Sequence, residues 1–210
     1  SCERRYACDE GRSRTLHSNA EFLMFPDDHS TPEQVDRRVR AWLQGFVVGL
    51  NLCPFARPVV SSEALRVVVC EATEHQDITA VFMTELDLIQ RSPESMVATT
   101  LLAIPYALRD FEEYLGFIEE AESLLEAVGL SGVIQLASFH PAYQFEGEPA
   151  ASAGHYTNRA PFPLIHFLRE EMMTRALDQF PDPEQIPQRN IQRLEAMGVA
   201  TIEQMLKSLP

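Results

Sequence analysis

The chain has 210 residues and 45% hydrophobic content, enough for one domain with a filled core and at most a small addition. Its formal charge is −14, with a single lysine, Lys207, among 17 basic residues, so neither nucleic acid nor an anionic membrane is expected as a partner. No apolar run approaches the length of a membrane span, and the opening "SCERRYACDEGRSR" lacks the apolar stretch of a secretory signal.

The four cysteines, Cys2, Cys8, Cys53 and Cys70, form no CxxC pair and no zinc-ribbon spacing. A reducing, cytoplasmic compartment is the expectation. Residues 1–29 show no hydrophobic period and are expected to be a loose, dispensable tail.

"STPEQVDRRVRAWLQGFVVGLN" opens with Thr31 as N-cap, Pro32 at the first helical position and Gln34 completing a capping box. Val35, Val39, Trp42, Phe46 and Leu50 then recur at helical spacing until Asn51 and Pro54 stop the helix. "ALRVVVCEA" is a short continuous apolar run and reads as a buried strand, with Cys70 as a small core residue. A helix follows, capped by Asp77, with Ile78, Phe82, Leu86 and Ile89 on one face. "MVATTLLAI" is a second buried strand. "DFEEYLGFIEEAESLLEAVGL" is a helix with a glutamate-rich outer face and Gly129 as its stop. "GVIQLASF" is the third strand. A long irregular segment leads from it into a helix expected over roughly 162–178, and two short helices finish the chain.

Strands separated by single helices imply crossover connections. The expected fold is therefore α/β: a parallel or mixed sheet of three or slightly more strands with strands near 65–71, 96–104 and 132–139. The domain would span 30–180, with 181–210 as a helical C-terminal appendage packed on it. "LEAMGVATIEQML" within that appendage looks like half of a helix-hairpin-helix. It lacks the lysines that contact phosphate, so a packing role is favoured over a DNA contact.

The segment "SFHPAYQFEGEPAASAGHYTNRAPFPLIHFLR" carries most of the chemistry. Long loops inside compact domains are commonly functional, and this one carries Phe139, Tyr143, Phe145 and Tyr156 to pin it. His140 sits where a central strand ends, the position at which α/β sheets bind ligands. Asn158 and Arg159 lead into the expected helix, whose N-terminus would favour an anion. His166, Arg169, Glu170 and Met173 would share one helical face. Cys53 in "NLCPFARP" resembles the Cys-Pro thiolate motif of thioredoxin-like proteins, but it follows a helix rather than a strand, which argues against that role.

Together, "GLNLCPFA" and "SFHPAYQFEG…HYTNRAPFPLIHFLRE" resemble an uncharacterised bacterial and plant family, DUF1415, over roughly residues 31–207. The resemblance implies that Cys53, Pro54, Phe55, His140, Pro141, Asn158, Arg159, Pro161, Pro163, His166, Arg169 and Glu170 occupy motif positions. It implies no reaction.

The leading expectation is a cytoplasmic enzyme or binding protein for a small anionic metabolite. Asn158, Arg159, Arg169 and Tyr143 would hold the anion, and His140, His166 or Cys53 would carry the chemistry. A first alternative is a metal site from His140 and His166 with Cys53, His155 or Glu170. A second is a non-enzymatic interaction module using the acidic helix from Asp110 to Glu126. There is no GxGxxG, P-loop, GxSxG or HExxH motif, so the sequence names no cofactor. It leaves the oligomeric state open.

Overall fold

A computed structural model describes residues 30–210 except Gln179. The expectation for residues 1–29 falls outside the described residues. The three apolar runs are strands β1 (Leu65–Val69), β2 (Thr99–Ala103) and β3 (Ile134–Phe139), and all three lie in one sheet, as expected. A fourth strand, β4 (Leu164–Arg169), stands between β2 and β3, giving the order β1-β2-β4-β3. β1 pairs parallel with β2, while β4 is antiparallel to both its neighbours. The sheet is thus mixed. β1, β2 and β3 run the same way, and their carboxyl ends share one edge.

The helices, in chain order, are α1 (Pro32–Trp42), α2 (Ala56–Val60), α3 (His75–Arg91), α4 (Phe111–Ala127), α5 (Glu170–Leu177), α6 (Ile186–Met197) and α7 (Val199–Lys207). α1 starts with the expected capping box, Thr31 and Gln34 bonding each other's backbone. It does not stop at Trp42 but widens into a π-helical turn, Leu43–Val48, before Asn51 turns the chain at φ 50°. Gly49 is required there. A Cβ on it would stand 2.0 Å from the carbonyl oxygen of Gly45, far inside any allowed contact. α3 begins earlier than expected: Glu74 is the N-cap and Asp77 lies in the first turn. α4 ends as expected, with Gly129 at φ 74°.

Alternation along the strands sends successive side chains to opposite faces. On one face, Leu102, Ile134, Ile165 and Phe167 pack against Phe82 and Leu86 of α3 and Tyr114 and Phe117 of α4. On the other, Leu65, Leu101, Ala103 and Leu164 pack against Val35, Val39 and Trp42 of α1 and Phe46 of the π-helical turn. Leu194 of α6 and Ile202 of α7 are fully buried in this second cluster. Each such side chain is worth about 1.5–3 kcal/mol when removed from water. The last two helices therefore complete a core layer.

The single helix expected over 162–178 is a strand followed by a helix. "LIHFLR" has apolar residues at 164, 165, 167 and 168, a pattern compatible with either period in so short a run. The open hydrogen-bonding edges of β2 and β3 decide the matter. A strand placed between them satisfies both, with His166 opposite Leu101 on one side and Ala137 on the other. The helix begins only at Glu170. This relocates His166, Arg169 and Glu170, and it removes the helix N-terminus expected beside Arg159.

Candidate functional site

The carboxyl end of β3 gathers four of the residues singled out in the sequence. His140, the first residue past the strand, donates its backbone N–H to the carbonyl of Asn158 at 3.1 Å. Asn158 Nδ2 donates to the carbonyl of Ser138 at 3.0 Å, so the returning loop is clamped along the strand end. The Tyr143 N–H donates to His140 O at 3.0 Å, and Tyr143 O accepts from Arg159 Nε at 3.1 Å. His140, Tyr143, Asn158 and Arg159 thus form one bonded unit.

His140 is fully buried among the rings of Phe111 and Tyr114 of α4, 5.3 and 5.0 Å away between centroids. Its Nδ1 accepts from the Ala142 N–H at 3.0 Å, which makes Nε2 the protonated nitrogen, 3.1 Å from the carbonyl of Leu108. Burial brings its pKa down to about 4, although the Leu108 carbonyl opposes the shift. Leu108 holds a left-handed backbone at φ 54°, a strained conformation for a branched residue. The imidazole therefore joins the β2–α4 loop to the end of β3 as a neutral strut.

Tyr114 adds a wedge at the same edge. Its buried hydroxyl accepts from the Phe139 N–H at 3.0 Å and donates to the Leu164 carbonyl at 2.7 Å. Phe139 and Leu164 are register partners, so the hydroxyl stands in for a ladder bond and holds the strand ends around it.

Arg159 leans on the other side of this edge. Its guanidinium carbon lies 4.5 Å from the ring centroid of Tyr156, whose hydroxyl donates to Glu203 of α7 at 3.0 Å. Among the described residues Arg159 has no carboxylate within ion-pair distance, unlike Arg40, Arg66, Arg91 and Arg175. It is half-buried and held by one nitrogen and one face. His155, buried nearby, is fixed at both ring nitrogens by Phe145 N and Pro149 O and braces the loop. Burial lowers its pKa too, with Arg159 adding to the effect.

Three other sequence candidates lie elsewhere. Arg169 ends β4 at the opposite edge of the sheet. A strand rises about 3.3 Å per residue, so Arg169 stands roughly 17 Å along from Leu164. Its guanidinium donates to the carbonyls of Ile89 at 2.5 Å, Ser92 at 2.7 Å and Val97 at 2.9 Å, which makes it a clamp on the end of α3. Glu170 sits beside it, its N–H bonded to Val133 O. His166 shares a face with its partner Ala137, whereas His140, three residues on, turns to the α4 side. The two histidines therefore project from opposite faces of the sheet and cannot meet at one reacting atom.

His166 Nε2 lies 2.6 Å from Thr99 Oγ1, and that hydroxyl donates to the Phe167 carbonyl at 2.6 Å. The chain of bonds puts the proton on Nε2 and leaves Nδ1 as an acceptor. Burial lowers the His166 pKa to about 4, although the residue as a whole is not fully buried.

Cys53 is half-buried between the π-helical turn and α2. The Phe55 and Ala56 N–H groups favour its thiolate, but burial outweighs them and pushes the thiol pKa up. An activated nucleophile needs the opposite shift. The neighbouring Leu52 carbonyl accepts from Asn190 of α6 at 2.6 Å, and Ile191 packs on Gly154 of the loop. Cys53's segment and the loop are thus braced by the same helix. Among the described residues no group of three or more His, Cys, Asp or Glu side chains is placed to hold a metal ion. No helix among them is long and apolar enough to cross a membrane.

Sequence reasoning missed Thr99, the partner of His166, and Tyr114 and Leu108, which support the end of β3. Tyr114 had a signal, a tyrosine on the apolar face of a helix, since a buried hydroxyl needs a partner. Leu108 had none.

Fold and site together define a mixed α/β protein with a rigid, polar carboxyl edge on its parallel strands. Residues 34–204 match the model of the family described as "Protein of unknown function (DUF1415)", and the chain belongs to that family. No curated protein and no solved structure matches the chain.

Proposed function

We propose that this protein binds a small anionic molecule at the carboxyl edge of the sheet, with Arg159 as the group that holds it. The observation that carries the reading is a half-buried guanidinium with no carboxylate partner among the described residues, in a chain of net charge −14. A guanidinium taken partly out of water without a carboxylate keeps charge and donors to offer an anion. Its Nε bonds Tyr143 O and its guanidinium carbon lies over the Tyr156 ring, which holds the fork and leaves the terminal nitrogens for a carboxylate or phosphate. Tyr143 and Asn158 orient Arg159 and the loop. His140 is a positioning residue in this reading, since both its ring nitrogens are engaged in supporting the loop.

The test is calorimetric titration with inorganic phosphate and with a dicarboxylate such as succinate. At least one should bind, and Arg159→Ala should weaken it by about 1.5–3 kcal/mol, roughly 10- to 150-fold, with the fold intact. Equal affinity in the variant, or equal binding of the neutral diamide analogue, would refute the assignment.

A further inference from the structure

Past the end of β3 the chain forms a strap, residues 141–149, with no strand or helix of its own. Two buried imidazoles tie it down. His140 Nδ1 accepts the Ala142 N–H at 3.0 Å, and its Nε2 meets the Leu108 carbonyl at 3.1 Å. His155 repeats the arrangement from the other end of the loop. Its Nδ1 accepts the Phe145 N–H at 3.2 Å, and its Nε2 meets the Pro149 carbonyl at 2.9 Å. Each ring is therefore fixed as the neutral tautomer with its proton on Nε2.

A second proton on either ring has one place to go, Nδ1. There it sets an N–H against the backbone N–H which that atom accepts, two donors face to face. The strap must then move away. The sheet does not oppose this, because the ladder between β3 and β4 and the Asn158 bonds to Ser138 O and His140 N lie outside the strap. Residues 146–149 are already exposed. The charged and titratable groups facing the rings divide. Asp110 at the start of α4 favours a charged His140, which also borders Tyr114 of α4 and Tyr143 of the strap. Glu148 favours a charged His155 and Arg159 opposes it. Burial outweighs Asp110 and Glu148, lowering both pKa values, that of His140 to about 4.

We propose that residues 141–149 are an acid-released strap, closed on the end of β3 while His140 and His155 are neutral and freed, with the Tyr143 carbonyl leaving Arg159, when they take up protons. The release is local and leaves the sheet paired. It stands whether or not Arg159 holds an anion.

The two amides that the imidazoles accept report on the strap directly, through hydrogen exchange of ¹⁵N-labelled protein corrected for the intrinsic effect of pH. A ring with a pKa of about 4 in the closed strap and 6.5 in the open one shifts opening by about twentyfold between pH 7 and pH 5. Protection of the Ala142 and Phe145 N–H groups should fall by at least about tenfold over that range. The Phe167 N–H in β4 should exchange far more slowly than either at both pH values. Replacing both rings by asparagine (His140→Asn, His155→Asn) puts a side-chain oxygen near each Nδ1 position and removes the titration, so the fall should vanish. If the double variant does not fold, the single variants are read at their own amides, Ala142 for His140→Asn and Phe145 for His155→Asn. Unchanged protection in the parent, an equal fall in the asparagine variants, or strap amides that exchange only as fast as Phe167 would each overturn the proposal.

Discussion

Removing the Arg169 guanidinium should damage stability rather than ligand binding, and the size of the effect follows from its bonds. It gathers three backbone carbonyls, Ile89, Ser92 and Val97, with four contacts between 2.5 and 3.1 Å. Hydrogen bonds to a charged group contribute about 1.5–3 kcal/mol each. Arg169 is half-buried, so water can replace part of the set once the side chain is gone. A net loss of about 3 kcal/mol for Arg169→Ala is expected. In a domain of this size each kcal/mol moves Tm by roughly 2–4 °C, which gives a fall of about 6–12 °C. Arg169→Lys should recover less than half of that, because a lysine ammonium ends about where the guanidinium carbon lies, one bond short of the Nη2 that meets all three carbonyls, and it loses the Nε bond to Val97. Thermal unfolding followed by circular dichroism measures both. A fall of less than about 3 °C for Arg169→Ala, or a lysine variant as stable as the parent, would refute the reasoning. Loss of anion binding with an unchanged Tm would restore Arg169 to the binding site where helical spacing had put it.

Other perturbations separate the same ideas. Tyr114→Phe removes the hydroxyl between Phe139 N–H and Leu164 C=O and should cost about 2–3 kcal/mol in chemical denaturation; a neutral result would show that the strand ends close without it. Gly49→Ala should destabilise by more than about 2 kcal/mol, because the new Cβ meets a backbone carbonyl, whereas Gly45→Ala meets only the end of the Leu209 side chain and should be milder; equal melting temperatures for the two would refute this. His140 and His166 both have pKa values lowered from 6.5 to about 4. The unfolded chain takes up protons at these sites as pH falls below about 6.5 while the folded chain resists until about 4, so their contribution is complete above pH 6.5 and shrinks on acidification. At pH 5 the loss is about 2 kcal/mol per histidine relative to pH 7.5. His166→Gln should therefore lose about 2 kcal/mol less than the parent between those pH values in urea unfolding, and identical losses would contradict it.

The element order was legible because most elements have the length and period that identify them. The run from Val35 to Phe46 and the helix from Phe111 to Ala127 could be read as little else. β4 could not, because six residues with four apolar positions fit a helix face or a doubly buried strand equally well. Only the vacancy between β2 and β3 distinguishes them, and that is a tertiary fact. The candidate site divides along the same line. His140, Tyr143, Asn158 and Arg159 were grouped by loop position and do come together, since the loop folds back on the end of β3. His166, Arg169 and Glu170 were grouped by helical spacing and scatter once that spacing becomes a strand's. Thr99, whose hydroxyl meets His166, lies 67 residues away from it, beyond any local pattern.

The central position of β4 has a consequence for how the chain assembles. β2 and β3 are synthesised well before β4, yet in the finished sheet they never touch. Each must wait with an unsatisfied edge until a segment from the last quarter of the chain is threaded between them in antiparallel register. The β2–β4 partners are 61 to 69 residues apart in sequence, so this closure is a long-range event and a slow one. A nascent chain that ends before residue 164 is therefore not a smaller version of the fold. It holds the β1–β2 pair with one open edge and a β3 strand left without a partner, the kind of intermediate that seeks pairing with other chains.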